Sequence, residues 1–410
     1  MAAEVITFGC RLNAYESAVI RRHAAALDDT VVINTCTVTA EAERQARQTI
    51  RKLNRERPEA ALVVTGCAVQ RDPEAWARLP GVARVLGNAE KLDPGFWQER
   101  TGESAVGPLA ARPAPRAWPV AEHLGRSRAI LQVQQGCDHA CTFCVIPAGR
   151  GPSRSVPPEE VIATARTMVA QGFQEIVLTG VDLTSYGADL SPPLRFGALL
   201  ARLLREVPEL PRLRLSSLDP AELDADFWEV LANEPRLMPH LHLSLQSASA
   251  LILKRMKRRH SPAEAAEAIA QARALRPGLA IGADLIAGFP TETEALFAET
   301  LDFIERMDIP FLHVFPFSPR PGTPAARMPQ VPPAIARERA RRLRAAGERA
   351  RGRFLAAKLG TVRHVLAETP ESGRDEHFIV VRSNAPLIPG RVHALRAVAA
   401  TEDALVGEAL

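Results

Sequence analysis

The chain has 410 residues, of which 46% are hydrophobic and 24% charged, with a formal net charge of +4. That length exceeds what one hydrophobic core usually supports and predicts two or three domains. No apolar run is long enough to span a bilayer, and the opening MAAEVITFGC reads as a strand rather than a signal peptide; a membrane protein is excluded and a cytoplasmic one expected.

The first hundred residues alternate apolar runs with helical patterns. Strands are predicted at 5–8, 31–33, 62–65 and 83–86, with helices over 14–26 and 40–55. This βαβ alternation predicts a parallel sheet with helices on its faces. Residues 107–120 hold four prolines without periodicity and read as a linker. A second alternation follows, with strands at 130–134, 175–179, 212–216, 240–245, 280–286 and 311–315, and helices including 158–170 and 294–307. Thr291, with Glu294 three residues on, reads as a capping box for the latter helix. Six βα units predict an open or partial (β/α) barrel with its site at the carboxyl ends of the strands. Residues 334–358 form an arginine-dense helix. Short strands at 362–367 and 378–382 and a Pro389-Gly390 turn then predict a small C-terminal β-domain.

The six cysteines form two groups of three. Disulfides need even groups, and a cytosolic chain of this size has no use for such staples, so metal binding or catalysis is expected. Cys137, Cys141 and Cys144 lie in GCDHACTFCVIP. Three thiolates this close converge on one face of a cubane cluster and leave one iron open to chelate a cofactor's amino and carboxylate groups. The alternative is a zinc knuckle with His139, but structural zinc sites usually pair two Cys-x-x-Cys units and no second pair follows. Cys10, Cys36 and Cys67 each follow a separate predicted strand, in ITFGC, VVINTC and LVVTGC. Parallel strands end at one sheet edge, which predicts a second three-thiolate site there. Three buried core cysteines or a redox relay are the alternatives.

The C-x₃-C-x₂-C spacing, with Phe143 before the last cysteine, resembles the signature of the radical-SAM superfamily, whose members cleave S-adenosylmethionine (SAM). With FGCRLNAYES, VINTCTVTAEAE, VVTGCAVQ, LHLSLQSAS and FPFSPRPGTPAA, essentially the whole chain is similar to the methylthiotransferase family. The resemblance implies an α/β architecture. An N-terminal parallel-sheet domain would occupy 1–106, a linker 107–125, a partial (β/α)6 radical-SAM barrel 126–350 and a small TRAM-like β-domain 351–410. It implies two 4Fe-4S clusters. One, on Cys137, Cys141 and Cys144, would bind SAM; the other, auxiliary, on Cys10, Cys36 and Cys67, would carry the sulfur. It also implies cofactor contacts at Phe143, Gly180, Asp182, Gln246, Arg258, Ile286 and Gly288, with Asp182 taking the methionine ammonium and the stretch around Gly288 receiving the adenine. No catalytic residue beyond the cluster ligands is implied.

The family has three branches. GCRLNAYES is similar to the pattern GCK-x-N-x-YES of the branch that modifies threonylcarbamoyladenosine, with Arg11 in place of the common lysine. The GCQMN of the isopentenyladenosine branch and the GCPKN of the ribosomal-protein branch are absent. The implied function is radical methylthiolation of C2 of N6-threonylcarbamoyladenosine at position 37 of tRNA. The alternatives are isopentenyladenosine in tRNA, an aspartate of a ribosomal protein, or a non-enzymatic, zinc-stabilised RNA-binding protein. Implied partners are a tRNA anticodon loop and an unidentified electron donor, for a monomer with no membrane association. The arginine helix and the β-domain would hold the tRNA backbone electrostatically, against the alternative of a solvated helix packed on the barrel. Arg150 and Arg154 are read as contacts to SAM or RNA phosphate, or as surface residues.

Overall fold

Four parallel strands in chain order, β1 (Glu4–Thr7), β2 (Thr30–Thr35), β3 (Ala61–Gly66) and β4 (Val82–Leu86), open the computed structural model, which describes residues 3–109, 115–118 and 127–410. Most of the expected linker and residue 126 lie outside these. Helices α1 (Arg11–His23), α2 (Ala40–Glu56), α3 (Cys67–Arg71) and α4 (Pro73–Ala77) make the connections. β2 and β3 are buried throughout. Their alternate residues feed two cores: Val31, Ile33, Leu62 and Val64 pack with Ile50 and Trp76, whereas Val32 and Val63 pack with Ile20 and Trp97. A parallel sheet covered on both faces reads as such continuous apolar runs. α1 starts three residues before the predicted 14, with Cys10 as its extended N-cap. The apolar period does not reveal this first turn; the Asn13 amide holds it by donating to the carbonyls of Phe8 and Thr35.

The second alternation builds β5 (Ala129–Gln132), β6 (Gln134–Gln135), α5 (Ile146–Arg150), β7 (Arg154–Ser155), α6 (Pro158–Ala170), β8 (Ile176–Thr179), α7 (Phe196–Glu206), β9 (Leu213–Leu215), α8 (Ala225–Asn233) and β10 (His240–Gln246). It ends with α9 (Ala250–Met256), α10 (Pro262–Leu275), β11 (Ala280–Ala287), α11 (Glu294–Met307) and β12 (Phe311–Pro316). Parallel sheets β5-β8-β9 and β10-β11-β12 are joined by the bridges Leu213 to Leu237 and Leu218 to Leu243. Among the described residues β5 and β12 do not pair, so the barrel is open along one side. Leu131, Leu178, Leu215, Leu243 and Leu285 face the helices. The two-residue period of strands turns the intervening Ile130, Val177, Arg214, His242 and Asp284 to the inner face.

The capping residue of α11 is Thr293, not Thr291: its hydroxyl accepts from the Leu296 amide. Thr291 sits at φ +67°, outside the helix, and Glu294 pairs with Arg342 instead of turning back. A full capping box occurs at α10, between Ser261 and Glu264.

The arginine helix is α12 (Pro333–Ala356). Arg339 is buried against Glu292, Arg342, Arg349 and Arg353 pair with Glu294, Glu305 and Asp308, and Arg341 pairs with Glu338 of its own helix. Much of its charge is thus neutralised against the barrel. Strands β13 (Val362–Thr369), β14 (Ser372–Arg374), β15 (Val380–Ser383), β16 (Val392–Ala400) and β17 (Ala404–Ala409) close a small barrel in the order β13-β14-β15-β17-β16. The predicted strand at 378 begins at 380 because Phe378, at φ +67°, turns away from the sheet. Among the described residues no helix is long and apolar enough to cross a membrane.

Candidate iron–sulfur and cofactor site

The Cys137–Cys144 loop hangs between β6 and α5 and is tied to the far side of the barrel. Thr142 donates its amide to the Met256 carbonyl (3.0 Å) and its hydroxyl to the Arg255 carbonyl (2.8 Å). Local amides face the thiols: His139 N lies 3.4 Å from Cys137 Sγ and Ile146 N 3.4 Å from Cys144 Sγ. The three cysteines line one cavity of about 740 Å³ with His139 and Lys257. Burial pushes Cys137 up to about 12 and Cys144 to about 11, outweighing those amides, and the neighbouring thiols add to it. Such thiols ionise only when a cation binds them, and three soft donors on one loop fit an iron–sulfur cluster. A set of one ligand atom each from Cys137, His139 and Asp182 also lies within 4.8 Å. That set uses a single cysteine and so does not account for the triad as a zinc knuckle.

The expected cofactor contacts surround this loop. Phe143 packs edge-on to Phe289 in an apolar cluster that includes Ile286. Gly180 follows β8, and the next two amides, of Val181 and Asp182, both donate to Gln134 Oε1 at 2.9 Å. Asp182 lies 2.6 Å from His139 Nε2 and accepts from Ser185 at 2.8 Å. Burial would raise its carboxyl, but those two bonds outweigh it and hold it below the usual range. Arg258 reaches Cys141 Sγ at 3.8 Å, the Ser244 carbonyl at 2.7 Å and Asp219 at 3.0 Å. It therefore faces the cysteine loop and not solvent. Gln246 ends β10 at φ +65°. Gly288 lies slightly apart: a Cβ there would fall 2.4 Å from Ala336 Cβ, so its lack of a side chain admits α12 to the end of β11.

The second triad lies at the carboxyl edge of the first sheet. Cys10 caps α1, Cys36 follows β2, and Cys67 starts α3 directly after β3. A Cβ on Gly9 would come within 2.6 Å of Cys36 Sγ, so the first loop lies directly on the second cysteine. Cys36 and Cys67 are buried. Cys10 touches solvent but lies deep among protein atoms, and this desolvation raises its thiol against the lowering pull of Arg150. Burial takes Cys36 to about 12. The edge is sealed from the barrel side: Gly149 packs on Cys67, and Arg150 Nε lies 3.1 Å from Cys67 Sγ. Arg150 is 1% exposed and also binds Asn13 (2.6 Å) and both oxygens of Glu16. Lys91 Nζ completes the group 2.7 Å from Glu16. Arg154 donates to the Arg150 carbonyl. Arg150 is therefore no surface residue. It is the joint between the two triads, since it follows Cys144 by six positions and bonds Cys67.

Residues 131–304 match the radical SAM superfamily, and residues 2–87 match the family described as Uncharacterized protein family UPF0004. The threonylcarbamoyladenosine tRNA methylthiotransferase MtaB of Rickettsia prowazekii is 44% identical, over 95% of this chain and 93% of that one. The chain belongs to the radical-SAM methylthiotransferase family. A tRNA-2-methylthio-N(6)-dimethylallyladenosine synthase of Anaeromyxobacter dehalogenans is 36% identical, over 91% of this chain and 85% of that one. In fold, the chain also resembles the radical S-adenosylmethionine methyltransferase TsrM of Kitasatospora setae, with a TM-score of 0.54 and 16% identity over 77% of this chain and 66% of that chain. As a radical-SAM methylthiotransferase, the protein works with SAM and 4Fe-4S clusters.

The methylthiotransferase barrel has polar inner-face residues that the sequence reading did not single out. His242 and His313 flank Asp284 at 3.0 and 3.3 Å. Their hydrogen bonds hold that carboxyl far below its usual range although burial opposes it. The alternation HLHLSLQ was the available signal, because period two puts His240 and His242 on one face. A second group had no local signal. Phe378 of the C-terminal barrel is ringed by Arg11, Arg128, Arg214 and Arg374, at 5.4, 5.4, 4.8 and 4.4 Å from its centroid. Glu175, buried among Arg128, Arg212 and Arg214, anchors the group. Burial and the neighbouring Arg214, Arg128 and Arg374 lower Arg11 to about 10, which leaves it charged at neutral pH.

Proposed function

We propose that this methylthiotransferase inserts a methylthio group at C2 of N6-threonylcarbamoyladenosine, at position 37 of a tRNA anticodon loop. When bound, SAM on a cluster supplies a carbon radical able to take a hydrogen atom from the inert C2–H, and the auxiliary cluster supplies the sulfur. The residues proposed to hold the first group are Cys137, Cys141 and Cys144, and those for the second Cys10, Cys36 and Cys67. Around them the chain's part is positioning. Asp182 would bind the methionine ammonium, Arg258 and Gln246 would orient the cofactor, and Phe143, Gly180, Ile286 and Gly288 would shape its pocket and exclude water. The division at 106, 125 and 350 belongs to this reading; the sheet that ends at Leu86 and the closed barrel that begins at Val362 support it. A cytoplasmic monomer served by a separate electron donor completes it.

The observation that carries the reading is the Arg150 joint, which sets one cysteine triad beside the other across buried hydrogen bonds. Adenosine selection would require the base turned out of the loop, as for other base-modifying enzymes. Mass spectrometry of tRNA nucleosides from cells with and without the gene tests the substrate. Loss of the methylthio form of threonylcarbamoyladenosine is expected; its persistence, with no second enzyme present, refutes the reading. Anaerobically purified protein should be coloured and contain about eight irons per chain. Zinc without labile sulfide would instead support the non-enzymatic alternative.

A further inference from the structure

We infer that Arg11 is the specificity-determining cation of this site and binds the free carboxylate carried by the N6 substituent of the substrate adenosine. The inference rests on the proposed function and deepens it. Arg11 is adjacent to Cys10 and lines a cavity of about 270 Å³ with Arg128, Ile130, Val177, Arg374, Phe378 and Glu368, whose carboxylate is taken up by Arg128 and Arg374. The other guanidiniums there are engaged. Arg128 pairs with Glu175 and Glu368, Arg374 with Glu368, and Arg214 with Glu175. These three guanidiniums share two carboxylates. Among the contacts of the described residues Arg11 has no hydrogen bond or ion pair, only the Phe378 ring at 5.4 Å. A guanidinium drawn among other arginines with no carboxylate bonded to it is costly to keep, and an incoming anion relieves the cost.

The chemistry of the substrates matches. Threonylcarbamoyl ends in an amino-acid carboxylate, whereas dimethylallyl is an uncharged hydrocarbon. In adenine, C2 and the carbon that bears N6 flank the same ring nitrogen. A base that presents C2 near Cys10 therefore brings its N6 substituent to the neighbouring residue. The planar guanidinium fork meets a carboxylate with two parallel hydrogen bonds, while Ile130, Val177 and Phe378 supply an apolar wall for the remainder of the substituent.

The test compares anticodon stem-loop RNAs carrying threonylcarbamoyladenosine, dimethylallyladenosine or unmodified adenosine. Binding to reconstituted wild type, Arg11→Gln and Arg11→Lys is measured by anisotropy at several salt concentrations, with iron content as the folding control. Wild type should prefer the threonylcarbamoyl RNA over the unmodified one by about ten- to a hundredfold, the range of one charge-assisted contact. Arg11→Gln should lose that preference yet hold unmodified RNA as wild type does, and Arg11→Lys, which keeps the charge but not the fork, should retain part of it. A preference that survives in Arg11→Gln overturns the inference. So does an equal loss on all three RNAs with a shallower salt dependence, which marks a phosphate contact. Wild-type methylthiolation of the threonylcarbamoyl RNA is scored separately: its absence refutes the proposed function, whereas its presence with an indifferent Arg11 refutes the inference alone.

Discussion

Cys67 meets Arg150 and Glu16 meets both Arg150 and Lys91, and all of these side chains are buried. Burial opposes charge on Arg150, Glu16 and Lys91, but Cys67 and Glu16 hold Arg150 charged, and Arg150 and Lys91 hold Glu16 below the usual carboxylate range. Removing Arg150 leaves Glu16 to Lys91 alone and strips the buried Asn13 Oδ1 and Glu16 Oε1 of their donor, at about 1–3 kcal/mol for each acceptor left unpaired. Arg150→Ala should therefore lower the urea midpoint of the reconstituted protein well beyond Arg154→Ala, whose residue is only half buried. The cysteines act differently. Because the two triads stand on separate elements, Cys137→Ala and Cys36→Ala should each leave about half of the roughly eight irons, by iron and sulfide assay. Loss of nearly all iron from either variant would mean that one shared site replaces two. Both triads were legible from spacing and strand ends. Arg150 was not, because its partners lie 83 and 134 residues away in sequence.

The N-terminus of α11 shows how local motifs mislead at the scale of the element. The Thr291…Glu294 spacing satisfies a capping box, yet Thr293 supplies the cap and Thr291 turns into the left-handed region. The Gly288–Thr291 turn is drawn in by Glu292, which accepts from the Gly288 amide and from Arg339 of α12. That long-range tie outweighs the local alternative. Thr293→Ala should cost about 1 kcal/mol, read as a lowered melting temperature, in line with a lost N-cap. An unchanged temperature would mean that the cap lies elsewhere. α1 carries the same lesson: its first turn is set by Asn13 reaching to the ends of β1 and β2, which an apolar period cannot report. The strands were more legible, since continuous runs such as VVIN and LVV are what a sheet covered on both faces requires.

Across the whole molecule, the C-terminal barrel seats Phe378 and His377 against the larger barrel, and this contact responds to acid. Glu175, near 2, lies below its ordinary value because the arginines around it outweigh burial. Its stabilisation is complete above about pH 4.5 and is lost as pH falls toward 2. Burial, with Lys358 and Arg363, lowers His377 to about 2 from its ordinary 6.5. The unfolded chain therefore takes up that proton first, and stability is drained from pH 6.5 downward, by roughly 1.4 kcal/mol per pH unit. Urea midpoints should begin to fall near pH 6.5, earlier than carboxylates alone allow, and His377→Gln should flatten the curve between 6.5 and 5. An unchanged curve in that variant would assign the early loss to another group. The sequence by itself determined the two cysteine triads, the βα alternations and the family, because these depend on residue type at short spacing and on strand periodicity. Only the tertiary structure decided that Arg150 joins the triads, that α12 sets much of its charge against the barrel, and that Arg11, among the described residues, has no ion pair while the arginines around it are paired. Whether a charge is paired depends on which distant side chains share its burial, and no local pattern records that.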